Sequence, residues 1–291
     1  METGSSLPPP LIKPQSKKKN TTIFIPTLCD QQILALVERE QTTVMDVVTA
    51  LIESPRSYLY KRVALLEHAG LLTLWKPHPH AEQFLLPVQG RIPRKPWHRR
   101  NTAIRSACVQ LATRHLSNVR FLESDIWEFP SKPKPIRPDT LFFLDFPPDE
   151  NGDTERQAYS LEDDEDTESI EDFTYKCSKY WHFYDQYIFQ PQKEAERQGI
   201  DWTGNAFDID SLRILITVPH EQRLKRLLEA ACRAVAKASN GATRGLGAYW
   251  AKVRPFTNME RKTRQQALAN PDWVVDGWRT PVDDKLHSIL E

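Results

Sequence analysis

The chain has 291 residues, four cysteines and a formal net charge of zero, enough for one or two domains of about 100–200 residues each. The charge is unevenly spread. Residues 1–120 carry 17 Lys/Arg against 8 Asp/Glu, residues 121–175 carry 4 against 17, and the rest 18 against 14. A basic N-terminal half suits a polyanionic partner, and the acidic middle repels phosphate unless a cation neutralises it.

Cys29, Cys108, Cys177 and Cys232 are far apart and form no CxxC pair. That excludes a finger-type zinc site and a disulfide scaffold, and points to a reducing, cytoplasmic compartment. No apolar run approaches the ~18 residues of a membrane span, and the N-terminus lacks a signal-peptide core.

Residues 1–22 hold Pro8-Pro9-Pro10 and Lys17-Lys18-Lys19 and read as a disordered basic tail. Residues 23–90 read as three helices and a hairpin. Asp30 to Glu40 carries Ile33, Leu36 and Val37 on one stripe; Thr43 to Ile52 carries Val44, Val47, Val48 and Leu51. A third helix starts at Ser54-Pro55, a good cap followed by a proline tolerated at the first position, and Gly70 closes it. It leaves Arg56, Ser57, Tyr58, Lys61 and Arg62 outside. Two strands, from Leu71 to Trp75 and from Phe84 to Val88, flank a tip holding Lys76, His78 and His80. This order predicts a winged helix-turn-helix that binds double-stranded DNA, with the third helix in the major groove and the hairpin along the backbone. The alternative is a winged helix used only for protein contact.

Residues 91–100 read as a Pro-rich basic linker, residues 101–250 as an α/β domain, and residues 251–291 as a C-terminal extension anchored by Trp273 and Trp278. Within the α/β domain, His98 to His115 reads as the leading helix and Val119 to Leu122 as a strand. A strand from Thr140 to Phe146 follows Pro138-Asp139. Another, Gln157 to Leu161, ends in Glu162-Asp163-Asp164. A polar helix from about Glu168 to Gln190 carries Lys176, Tyr180 and Tyr184. Leu212 to Val218 reads as a doubly buried strand, and Glu221 to Ser239 as a basic amphipathic helix. The alternation is that of an α/β fold. Glycine-rich 241–247 lacks the Lys-Ser/Thr ending of a phosphate loop and reads as a connector.

An Asp beside one strand, acids at the end of the next and a nearby Lys suit a metal-dependent phosphodiesterase. Hard divalent cations take oxygen ligands, so Asp139, Glu162 and Asp164 are the candidate ligands for Mg²⁺ or Mn²⁺. The competing reading is a solvated acidic loop. Glu123 and Glu128 are further acids, read as strand-end solvation. For Tyr180 and Tyr184 the alternative to a nucleophile is an aromatic helix face packed in a core.

Pro138-Asp139, the pattern Glu162, Asp164, Thr167 (E, any, D, two residues, T), and Lys176 with Tyr180 (K, three residues, Y) together resemble the replication-relaxation family of plasmids and integrative elements. The resemblance covers roughly residues 25–240. It implies a winged helix followed by a PD-(D/E)xK restriction-endonuclease-like α/β domain, and a relaxase or endonuclease that nicks DNA at an origin in plasmid mobilisation or replication. Other mobilisation or replication proteins are the implied partners. Asp139, Glu162 and possibly Asp164 would then hold the metal, Lys176 would add positive charge, and water, Tyr180 or Tyr184 would attack. The chain departs from the standard nuclease motif in having Asp164 where the lysine belongs, so Lys176 or Lys179 must supply that charge. A non-catalytic DNA-binding regulator with a decayed nuclease fold is the other reading.

Overall fold

The computed structural model describes residues 24–116, 120–123, 129–131, 134–148, 150, 152, 154–164, 166, 168–199, 211–239, 246–256, 260–283 and 285–290. The expected tail 1–22, Val119, Glu128, Thr167 and most of 241–247 lie outside these residues, as does the Glu123 side chain.

Helix α1 (Leu28–Glu40) opens on a capping box, in which Thr27 and Asp30 each bond the other's backbone N–H. It stops at Gln41, whose φ of 56° is left-handed. The second expected helix begins later than the apolar stripe predicts. Thr43–Val44 is a short strand, β1, and α2 is Met45–Leu51. Two successive β-branched residues facing Leu85 and Phe84 gain more from a ladder than from a first helical turn. Helix α3 (Arg56–His68) follows, with Pro55 rather than Ser54 in the capping position, and Gly70 turns the chain out at φ 73°. Strands β2 (Leu72–Trp75) and β3 (Phe84–Pro87) pair antiparallel, and β1 adds to β3, giving the order β1-β3-β2.

Helix α4 (Pro96–Thr113) starts inside the stretch expected to be a linker; proline at its first turn costs no hydrogen bond. A five-stranded mixed sheet follows: β4 (Arg120–Glu123), β5 (Thr140–Asp145), β6 (Arg156–Asp163), β7 (Ser211–Val218) and β8 (Tyr249–Val253), in that spatial order. β4, β5 and β6 are antiparallel neighbours, whereas β6, β7 and β8 run parallel. The β6–β7 crossover carries α5 (Ile170–Tyr184), a π-helical stretch at Asp185–Phe189 and α6 (Gln190–Gln198), so this helical arm runs past the expected end at Gln190. α7 (Glu221–Ala238) links β7 to β8.

Side-chain alternation sorts the sheet into two faces. Phe142, Leu144, Tyr159, Leu161 and Leu215 join α4 in one core, while Phe143, Ala158, Ile214 and Ile216 join α5 and α7 in the other. The first core also takes in Ile33, Val47, Leu59 and Leu85 of the N-terminal elements. It further includes Trp278, whose indole N–H donates to the Val274 carbonyl at 2.9 Å. The expected boundary at residue 250 therefore falls inside an edge strand. Beyond it, α8 (Arg261–Ala269), β9 (Asp276–Trp278) and β10 (His287–Ser288) pack back onto α4 and the sheet. Arg261 grips Asp46 of α2 with two hydrogen bonds of 2.8 and 2.7 Å. Among the described residues no helix is long and apolar enough to cross a membrane, and all four cysteines are free thiols.

Candidate active site

The strands decide where the acidic run points. In β6, Ser160 and Glu162 face α5, whereas Asp163 faces α4 with Tyr159 and Leu161. Three consecutive carboxylates thus enter three environments.

Glu162 is 3% exposed. Its Oε2 pairs with Lys176 Nζ at 2.6 Å, and its Oε1 accepts the Tyr180 hydroxyl. Tyr180 itself shares a 2.5 Å hydrogen bond with Ser160 Oγ. Lys176 and Tyr180 are one turn apart on α5, so both reach the same carboxylate. Burial pushes the Glu162 pKa up; Lys176 pulls it down and the nearby Asp139 charge pushes it up again. Burial opposes the charge on Lys176, but Glu162, Asp139 and Glu168 outweigh it and raise its pKa. Burial and the Glu162 charge hold the Tyr180 phenol well above its usual value.

Asp139, just before β5, is fixed through both oxygens. Oδ1 bonds His98 Nε2 at 2.9 Å and Oδ2 accepts the Asp163 backbone N–H at 2.8 Å. Burial would raise its pKa, but His98, Lys176 and Arg105 overcome this and hold the carboxyl below its usual range. His98 moves the other way: burial opposes its charge, yet the Asp139 hydrogen bond and charge raise its pKa. Asp139, Glu162, Lys176 and His98 therefore form one electrostatic unit at the end of β6.

Asp163 belongs to a separate buried clasp. Its Oδ1 meets Arg105 Nη1 at 2.5 Å, Arg254 Nη1 at 2.8 Å and Thr217 Oγ1 at 3.1 Å. Arg105 also donates to Thr217. The clasp joins α4, β6, β7 and the end of β8. Asp164 is engaged by Arg223 of α7, which bonds Oδ2 through Nε and Oδ1 through Nη2 at 3.0 Å. The Asp164 hydrogen bonds bring it to Arg223, and the Glu162 hydrogen bonds bring that residue to Lys176 and Tyr180. Among the described residues no three His, Cys, Asp or Glu side chains surround a common point as a metal cage. Asp139 and Glu162 remain as the pair whose charges both act on Lys176, Glu162 by direct contact. Two carboxylates match the usual demand of Mg²⁺, which completes its shell with waters and substrate phosphate oxygens.

Tyr184 sits a turn beyond Tyr180, partly buried against the second core. His98, Arg105, Arg223 and Arg254 were not singled out from sequence. Arg105 carries one signal, a cation set among the small and apolar residues of the middle of α4, whereas His98, Arg223 and Arg254 lie beside other charged residues and give none.

The expected DNA-contacting residues divide as well. Arg56, Ser57, Tyr58 and Lys61 are exposed on α3, and Lys76, His78 and His80 are exposed at the hairpin tip. Arg56 lies over Tyr60, 5.7 Å from the ring centroid. Arg62 turns inward: its guanidinium takes both oxygens of the buried Asp30, with Nε at 2.8 Å from Oδ1. It ties α3 to the cap of α1.

Comparison with known protein families, with curated proteins and with solved structures finds no match.

Proposed function

We propose that the protein is a metal-dependent DNA phosphodiesterase of the relaxase or endonuclease kind, with its N-terminal elements serving as a DNA-binding winged helix. The observation that carries this reading is Lys176 Nζ at 2.6 Å from Glu162, with the Asp139 charge acting on both. Two carboxylates and a lysine are the donor set that phosphoryl chemistry needs, and Lys176 replaces the lysine missing at position 164 from a different element. The α/β topology, an antiparallel β4-β5-β6 meander continued by parallel β7 and β8, supports the restriction-endonuclease-like reading. Nicking at an origin of a mobile element, with mobilisation or replication proteins as partners, is the setting the sequence resemblance suggests.

Asp139 and Glu162 would hold Mg²⁺ or Mn²⁺, and the bound ion supplies Lewis-acid stabilisation of charge developing on the phosphate. His98 and the Asp163 N–H keep Asp139 ionised and aimed. Lys176 places positive charge where a non-bridging phosphate oxygen gains charge in the transition state. The Tyr180 hydroxyl donates to Glu162 from a buried position, so it orients that carboxylate, and water is the nucleophile. Arg56, Lys61 and the wing tip contact phosphates of the flanking duplex.

One observation favours the second reading, a DNA-binding replication or transcription regulator. Asp139, Glu162, Asp163 and Asp164 each already face a protein cation, so the cluster satisfies itself as a structural network. Metal-dependent conversion of supercoiled plasmid to nicked circles separates the two. The phosphodiesterase reading expects nicking that Lys176→Met abolishes. No nicking with Mg²⁺ or Mn²⁺, given intact DNA binding, selects the regulator.

A further inference from the structure

The basic, proline-containing stretch between the hairpin and α4 has no part in the site chemistry. It leaves β3 through a tight turn, in which the Gly90 N–H donates to the Pro87 carbonyl at 2.9 Å. It ends in the first turn of α4. Pro93 fixes its own φ and pushes Ile92 into extended backbone. Both ends are pinned: Pro87 pairs with Leu72 in the hairpin, and Arg100 donates to Glu82 of the β2–β3 connection at 2.8 Å. The middle is open. Arg91, Arg94, Lys95 and Arg99 are exposed, and Ile92 among them is 58% exposed.

These cations are not balanced locally. No Asp or Glu stands between Glu82 and Glu123 in the sequence. Of the acids at the two ends of the stretch, Glu82 is shared by Arg100 and Arg264, and Asp139 is held by His98. Glu38 borders the groove beside Val88, Gln89 and Gly90, ahead of the first arginine. Among the described residues no carboxylate pairs with Arg91, Arg94 or Arg99. A run of cations by itself suits any polyanion. The isoleucine between Arg91 and Arg94 narrows the choice, because a phosphate contact gains nothing from a large apolar side chain beside it. An extended, proline-stiffened segment with arginines around one apolar side chain fits the minor groove of duplex DNA, about 6 Å wide and too narrow for a helix.

We propose that residues 91–95 are a minor-groove arm. Arg91 and Arg94 enter the groove, Ile92 packs against its floor, and Lys95 and Arg99 hold the flanking phosphates. Narrow A·T-rich grooves concentrate negative potential and lack the guanine amino group, so the partner is an A·T-rich duplex. The proposal rests on the reading of the protein as a duplex-DNA binder and is independent of the phosphodiester chemistry. Because the arm ends beside His98, which bonds Asp139, it sets where along the duplex the candidate site lies.

The test is fluorescence anisotropy of the full chain with two labelled duplexes of equal length, one all G·C and one all inosine·C, in EDTA so that no cleavage intervenes. The two present the same major groove, and inosine lacks only the amino group that guanine places in the minor groove. Wild type should bind the inosine·C duplex about 5-fold or more tighter. Arg91→Gln with Arg94→Gln should bring the two affinities within about twofold and lower the salt slope on the inosine·C duplex by about 2. Ile92→Ala should reduce the preference and leave the slope unchanged. Lys61→Gln, on α3, should weaken both duplexes alike. Equal wild-type affinity for the two duplexes overturns the arm, as does a preference that survives the double substitution. An arginine-dependent preference with no effect of Lys61→Gln keeps the arm and removes α3 as a DNA contact. Lys61-dependent binding without any preference does the reverse, and no binding to either duplex removes both.

Discussion

Removing the charge of Asp163 should damage the fold more than any single change on the protein surface. The Asp163 and Arg105 side chains are both 0% exposed, and that of Arg254 is 3%. Asp163→Asn keeps the shape and the backbone N–H that holds Asp139. It takes away the negative charge that the Arg105 and Arg254 guanidiniums share in a buried site. Breaking a buried ion pair in this way costs about 3–5 kcal/mol, a large part of the roughly 5–15 kcal/mol by which domains are stable. With a urea slope of about 3 kcal/mol/M, the unfolding midpoint should fall by about 1–2 M. Replacing the whole clasp, with Arg105→Met, Asp163→Leu and Arg254→Met together, should recover most of that loss, because an apolar set of similar volume is near neutral. Equilibrium urea unfolding followed by far-UV circular dichroism measures both. A midpoint for Asp163→Asn within about 0.2 M of wild type would refute the clasp. So would a triple variant no more stable than the single one.

The His98–Asp139 pair carries a pH signature. A raised histidine adds stability below its ordinary value of 6.5 that is lost as pH rises through the folded value. A depressed carboxyl adds stability above its ordinary 3.8 that is lost as pH falls through the folded value. The difference between wild type and His98→Gln in urea should therefore peak between these ordinary values and shrink on the alkaline side; a difference that grows with pH would contradict the pairing. In calorimetric titration with Mn²⁺, Asp139→Asn should lose binding, while Asp164→Asn should keep it and lose stability through Arg223; equal heats for Asp139→Asn and wild type would remove the ion from this site. On duplex DNA, Lys61→Gln should lower the slope of affinity against salt by about 1. Arg62→Gln should leave that slope unchanged and destabilise the protein by about 1–3 kcal/mol, and the opposite pattern would place Arg62 on the DNA.

The elements that are legible in the sequence are those whose apolar periodicity is uninterrupted. Helices α1, α3, α5 and α7 and strands β5, β6 and β7 emerge from stripes or runs, with ends displaced by a few residues. β1 hides because two β-branched residues also continue the helical stripe that follows them. β8 is five residues beside a glycine-rich stretch and gains its definition by pairing with β7 and by the Ala251–Arg279 bridge on its other side. α8 lacks an apolar stripe of its own: Arg264 is buried in it through an ion pair with Glu82 at 3.1 Å, so its inner face does not read as hydrophobic. The site divides in the same way. Glu162 and Lys176 are legible because strand end and helix lie close in sequence. Arg105 and Arg254 meet Asp163 across 58 and 91 residues, and no local pattern encodes such a meeting. Period-two alternation separates Glu162 from Asp163, but the turn that sends Asp164 to Arg223 lies past the strand, where the alternation no longer applies.

The central claim is that Asp139, Glu162 and Lys176 act together on a phosphodiester. Its most direct measurement is the rate at which supercoiled plasmid DNA becomes nicked circles. Wild type, Glu162→Gln and Lys176→Met would be compared in Mg²⁺, in Mn²⁺ and in EDTA, with folding confirmed for each. The account predicts nicking by wild type that EDTA stops and that each substitution lowers by about 100-fold or more, since Glu162→Gln removes a metal ligand and Lys176→Met removes a positive charge aimed at the transition state. Nicking by Lys176→Met at the wild-type rate, or no nicking by folded, DNA-binding wild type with either metal, would contradict it.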